Sequence, residues 1–170
     1  IIICMPTGGA SGIIPATIKS TSKTLGKTKE DEIKALLVSG LIGVFYFPTH
    51  DHGALGCQAE VGIATSMVAA GLVSFLDDDP QIAEKAAVLA MQYIIGQVCD
   101  PVAGYPQIPC FIRNVASVPV AMTCANYALL GLDTAVTLDG MVQAVLRVGE
   151  KLREGRINDL GTCMNQYTAN

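Results

Sequence analysis

Among the stretches of the chain that carry no Asp, Glu, Lys or Arg are Ala35 to His50, Val61 to Leu76 and Asn114 to Leu132. Each is longer than a half-buried strand, none alternates apolar with polar residues, and glycine or proline punctuates them, so the pattern reads as helices. Glu30 to Leu41 is expected to be a helix with an acidic first turn. Glu60 to Leu76, "EVGIATSMVAAGLVSFL", is rich in small residues that let neighbouring backbones come close. Asp77, Asp78, Asp79 and Pro80 stop it, and an aspartate cap before a first-turn proline predicts the start of the next helix, Pro80 to about Val98. A further helix is expected from Arg113 to about Leu130. Asp139 to Glu154 is amphipathic, with Met141, Val142, Val145, Leu146 and Val148 against Arg147, Glu150, Lys151 and Arg153. The expected architecture is all-α, a helical bundle with functional loops at helix ends. No repeat or internal linker divides residues 1–170, which reads as a single domain.

Composition adds two constraints. The chain of 170 residues is 51% hydrophobic and 15% charged, with a mean hydropathy of +0.44, which raises the question of a membrane. Asn114 to Leu132 has the length for a span, but Asn114, Pro119 and Asn126 interrupt it, and a core helix apolar on all sides is the expected reading. A net charge of −4 with scattered Lys and Arg offers no basic field for nucleic acid or for an anionic membrane surface. Ile1 follows no basic segment, so the start reads neither as a signal peptide nor as a natural beginning, and the chain is expected to be a piece of a longer protein.

The candidate chemistry lies in six cysteines, Cys4, Cys57, Cys99, Cys110, Cys124 and Cys163. Nothing suggests secretion, so a disulfide framework is not the default. Cys4 in "IIICM" and Cys124 in "AMTCANYA" read as small buried hydrophobes, and Cys163 has no evident role. Cys57 lies just ahead of an expected helix start, where amide N–H groups favour a thiolate. Cys99 and Cys110 bracket "CDPVAGYPQIPC", a proline-rich segment hostile to helix. Three thiols at helix ends and in stiff loops can converge on a soft metal or an iron-sulfur cluster. Their spacing matches neither ferredoxin nor zinc-ribbon patterns, so packing cysteines stay open as the alternative. His50 and His52, in "PTHDHGALGC", are the only histidines and invite a metal or a general base.

"GCQAEVG" at 56–62, "CDPVAGYPQIPCFIRN" at 99–114 and "PTGGASGIIPA" at 6–16 resemble, in order and separation, the alpha chain or domain of the iron-sulfur-dependent L-serine dehydratases. The resemblance implies the C-terminal part of an all-helical catalytic region, a [4Fe-4S] cluster on Cys57, Cys99 and Cys110, and cytoplasmic conversion of L-serine to pyruvate and ammonia. It also implies a beta or regulatory domain or chain, in a homo- or hetero-oligomer. Three thiolates leave one iron open as a Lewis acid for the serine hydroxyl. No pyridoxal phosphate is required, and no lysine has a Schiff-base setting. Amides of Thr7, Gly8, Gly9, Ala10 and Ser11 would form an anion cradle for the substrate carboxylate, with the glycines, Gly12 included, taking backbone angles closed to other residues and a helix beginning near Gly12. Arg113 is the plainest cation for a carboxylate or for the cluster's charge. Gln58, Glu60 and Asn114 are expected around the cluster, Asp100 at a turn or cap, and the general base outside this chain. Two alternatives remain: a lyase resembling L-cysteine desulfidases with the same kind of cluster, and a non-catalytic helical subunit.

Overall fold

A computed structural model describes residues 6–46, 55–99, 105 and 107–154. His50, His52, Asp100, Cys4 and Cys163 lie outside the described residues. Six α-helices and, among the described residues, no strand make up the fold: α1 (Ile13–Leu25), α2 (Lys29–Phe45), α3 (Cys57–Val73), α4 (Pro80–Ile94), α5 (Gln107–Leu129) and α6 (Leu138–Glu154).

Local chemistry explains the helix starts. Thr28 and Asp31 form a reciprocal capping box, the Asp31 amide donating to Thr28 Oγ1 at 3.2 Å and the Thr28 amide to Asp31 Oδ2 at 2.9 Å. Asp79 accepts from the Gln81 amide at 2.8 Å with Pro80 in the first turn, as the sequence predicts. Helix α6 buries Met141, Val142 and Val145 and leaves Arg147, Glu150, Lys151 and Arg153 exposed.

Helix α3 is the centre, in contact with all five others. Every residue in it except Glu60 is buried. Its polar side chains find backbone acceptors: Thr65 Oγ1 donates to the Val61 carbonyl and Ser66 Oγ to the Ala87 carbonyl, each at 2.6 Å. Small residues set the spacing. A Cβ at Gly71 would collide with Ser39 Oγ and stand 2.7 Å from the Ala35 carbonyl oxygen on α2, and one at Gly62 would meet Met91 Sδ on α4 at 3.0 Å.

Four expectations are corrected. Helix α3 begins at Cys57 rather than Glu60, and α5 begins at Gln107 rather than Arg113, because Pro109 falls in the first turn, where a missing N–H breaks no helical bond. Cys110 therefore stands on a helix. Helix α4 ends at Ile94, before Gly96 turns the chain with φ 91°. Nor is Asn114–Leu132 a core helix apolar on all sides. Ile108–Leu129 is long and apolar enough to cross a membrane by length and composition, but only 22% of its most apolar window is buried. It packs through Ala121, Cys124, Ala125 and Ala128 and exposes Phe111, Ile112, Val115 and Met122. The helix with no outward face is α3. Helix α2 likewise leaves Ile33, Leu37, Leu41 and Val44 exposed.

Gly71→Ala should destabilise the chain by about 1–3 kcal/mol by overpacking the α2–α3 contact. Gly40→Ala on α2, where a Cβ meets nothing within 4 Å, should stabilise it by up to about 1 kcal/mol through helix propensity. Urea unfolding of the two variants measures both signs.

Candidate metal centre

Cys57 is the first residue of α3 and fully buried. Gly56 before it has φ 82° and ψ 178°, a conformation essentially confined to glycine, which lets the chain turn sharply and present Cys57 at the helix tip. Gln58, also fully buried, anchors that tip. Its main-chain amide donates to the Gln97 carbonyl at 3.0 Å, its Oε1 accepts from the Gly96 amide at 2.8 Å, and its Nε2 donates to the Val145 carbonyl of α6 at 3.0 Å. The start of α3 is thus tied to the turn that leads into Cys99.

From the other side, the first turn of α5 brings Cys110 Sγ to 3.8 Å from Cys57 Sγ. Glu60, three residues beyond Cys57 on the same helix face, completes the group: a carboxylate oxygen of Glu60 and the sulfurs of Cys57 and Cys110 all lie within 4.8 Å of one another. Arg113 Nη1 donates to Cys57 Sγ at 3.3 Å and to the Val98 carbonyl at 2.9 Å. Cys99 is half-buried one residue further on.

Electrostatics mark this cluster as a site for positive charge. Burial pushes the Cys57 thiol up, and the Arg113 guanidinium only partly opposes it. The expected helix-tip preference for a thiolate is thereby overridden, because Cys57 is desolvated. Cys110 is pushed up to about 12 by burial first, then by the charges of Cys57, Glu60 and Cys99, and burial raises Glu60 as well. Burial thus disfavours the charged forms of Cys57, Glu60 and Cys110, and for Cys110 its acidic neighbours add to the effect; metal binding to thiols requires their deprotonation. Sulfur donors favour a soft metal or an iron-sulfur cluster, and two of the three expected cysteines, Cys57 and Cys110, meet here with Glu60, whereas Cys99 lies outside this group of ligand atoms. Two buried acceptors beside the cysteines, Gln97 Oε1 and Asn114 Oδ1, have no partner, while Asn114 Nδ2 donates to the Cys110 carbonyl at 2.7 Å.

Other expected site residues fall elsewhere. Gln58 engages the backbone of two neighbouring segments. Cys124 is buried in the hydrophobic core, 14 residues past Cys110 and so about 21 Å along α5. The loop of Thr7, Gly8, Gly9, Ala10 and Ser11 runs into α1, with Gly8 and Gly9 exposed and Ala10 buried. Ser11 Oγ donates to the Gly8 carbonyl at 2.9 Å. Gly9 and Gly12 take no left-handed angle, Gly12 having φ −78° and ψ −22°, because the chain enters α1 through right-handed turns. What they contribute is room: a Cβ at either meets nothing within 4 Å. The sequence reading placed Glu60 around the metal, and its spacing from Cys57 was the available signal that it stands beside the sulfurs. A groove of about 420 Å³ between α2, the α3–α4 turn and the start of α6 contains no cysteine.

The family model described as serine dehydratase alpha chain matches residues 1–158. The chain belongs to the serine dehydratase alpha chain family. Among relatives, it is 33% identical over 153 residues to the probable L-serine dehydratase, alpha chain, of Bacillus subtilis, covering 89% of this chain and 51% of that one. It is 40% identical over 155 residues to the L-serine dehydratase of Mycobacterium bovis, covering 87% of this chain and 34% of that one. Its identity to the Latilactobacillus sakei probable L-serine dehydratase, alpha chain, is 36% over 154 residues, 89% of this chain and 74% of that one. This serine dehydratase alpha chain segment thus spans about half the length of the Bacillus relative and about a third of the mycobacterial one.

Gln58→Leu should lower stability by about 1–3 kcal/mol, since it strips partners from the Gly96 amide and from the Val145 carbonyl in the middle of α6. Thermal unfolding of the metal-free chain measures it.

Proposed function

We propose that this chain is the cluster-holding part of an L-serine dehydratase that converts L-serine to pyruvate and ammonia. The observation that carries this reading is the meeting of Cys57, Glu60 and Cys110, with Cys99 near enough for its charge to act on Cys110, in a chain of this family. Cys57, Cys99 and Cys110 would hold a [4Fe-4S] cluster. When bound, the cluster supplies an iron without a cysteine ligand, a Lewis acid for the substrate hydroxyl.

The chain's own residues do the rest. Cys57, Cys99 and Cys110 remain thiolates in the loaded site, and Glu60, with a half-buried carboxylate beside them, faces the substrate ammonium. The unpartnered Asn114 Oδ1 is a second acceptor for that ammonium. Amides of Thr7 to Ser11 receive the carboxylate, on a backbone that Gly8 and Gly9 leave open. The base that removes the α-proton comes from the part of the enzyme beyond this chain, and no pyridoxal phosphate takes part. A beta or regulatory domain or chain covers the exposed apolar faces of α2 and α5, in a homo- or hetero-oligomer, so that α5 serves an interface rather than a membrane. A reducing cytoplasm keeps the thiols free, and an acidic chain without a basic patch has no nucleic-acid partner.

Anaerobic reconstitution with iron and sulfide should load about four irons per chain. Cys57→Ser, Cys99→Ser and Cys110→Ser should each abolish loading, and Cys124→Ser should leave it intact. With the rest of the enzyme added, serine should be turned over in preference to cysteine. Loading that ignores the first three substitutions sinks the proposal, and preference for cysteine reassigns the substrate.

A further inference from the structure

Arg113 stands three residues after Cys110, one turn along the same face of α5. A single nitrogen of its guanidinium, Nη1, reaches both Cys57 Sγ at 3.3 Å and the carbonyl of Val98, the residue before Cys99, at 2.9 Å. One side chain therefore touches the first ligand's sulfur and the backbone next to the second, from the helix that carries the third. These segments come from the tip of α3, the turn after α4 and the first turns of α5. Gln58 binds the first two together from the core side; Arg113 bonds the α5 segment directly to both of them.

We propose that Arg113 is a positioning residue of the cluster site: it clamps the three cysteine-bearing segments at their working separation, and its N–H···S bond to Cys57 holds the cluster in place and raises its reduction potential. The inference rests on the iron-sulfur reading and assigns Arg113 to the metal rather than to the substrate carboxylate. A guanidinium is suited to this because it is permanently charged and forks rigidly toward two acceptors. Hydrogen bonds to cluster sulfurs are among the factors that set reduction potential, and donated positive charge stabilises the reduced, more negative state. Partners that orient metal ligands typically change metal affinity by about 10–100-fold when removed. Lysine keeps the charge on a different stem, whereas glutamine keeps a donor and loses the charge.

The test reconstitutes this chain anaerobically as wild type, Arg113→Gln and Arg113→Lys, with circular dichroism confirming that each is helical. It measures iron loss to a chelator and the midpoint potential by spectroscopic redox titration. Arg113→Gln should lose iron at least about tenfold faster and titrate at a lower potential, with Arg113→Lys between it and wild type on both readouts. If Arg113→Gln keeps iron at the wild-type rate and potential while wild type and the cysteine variants behave as above, the clamp is overturned and the cluster reading stands. With the rest of the enzyme added, a rise in KM for serine without either change would overturn the clamp and return Arg113 to the substrate carboxylate. If wild type loads no iron at all, the cluster reading falls, and this inference with it.

Discussion

Helix α3 gives up every solvent-facing position but one, and the placement of the thiol site depends on that burial. A helix surrounded by five others can be packed only if its surface is nearly flat, which Gly62, Ala64, Ala69, Ala70 and Gly71 supply. Close approach of α2 and α4 then leaves little freedom for the helix to slide or tilt. Its tip is fixed just as firmly, because Gln58 is bonded both to the turn after α4 and to α6. Cys57 therefore stands on the most deeply buried helix among the described residues, while Cys99 and Cys110 are only half-buried.

That rigidity concentrates acidic groups where solvent cannot separate them. Cys57, Glu60 and Cys110 share one small volume, Cys99 adds its influence, and Arg113 provides a positive charge directly against a sulfur. A protein that only needed a stable core would fill such a place with aliphatic side chains, since burying polar groups without compensation is unfavourable. The arrangement makes sense as a receptor for a group of high positive charge. Local stability and metal affinity are then linked, because the thiols must lose their protons to bind a metal.

The outer helices have a different character. Helix α2 buries only Ala35, Ser39 and Ile42 and turns leucines and valine outward, and α5 exposes Phe111, Ile112 and Val115 within the five residues that follow Cys110. Such stripes exceed what scattered surface hydrophobes need. They accord with a chain that spans half, or a third, of the length of relatives in its family, and on the proposed reading the remainder of the enzyme completes both faces.

Much of this was legible in the residues alone. The helical class, the Asp79–Pro80 start of α4, the amphipathic register of α6, the close packing around α3 and the core placement of Cys124 follow from local rules of spacing, capping and residue size. The motifs around Cys57, Cys99 and Cys110 were enough to point to the family. Tertiary structure alone decided which apolar helix is central, because hydropathy is the same whether a neighbour or solvent lies outside it: α3 is enclosed and α5 is not. It alone brought Cys57 to within 3.8 Å of Cys110, sent Gln58 into the backbone of two distant segments and laid Arg113 across Cys57 and Val98. Those contacts join residues up to 87 positions apart, and no periodicity or propensity carries information over such a distance; only the packing of one helix against five others does.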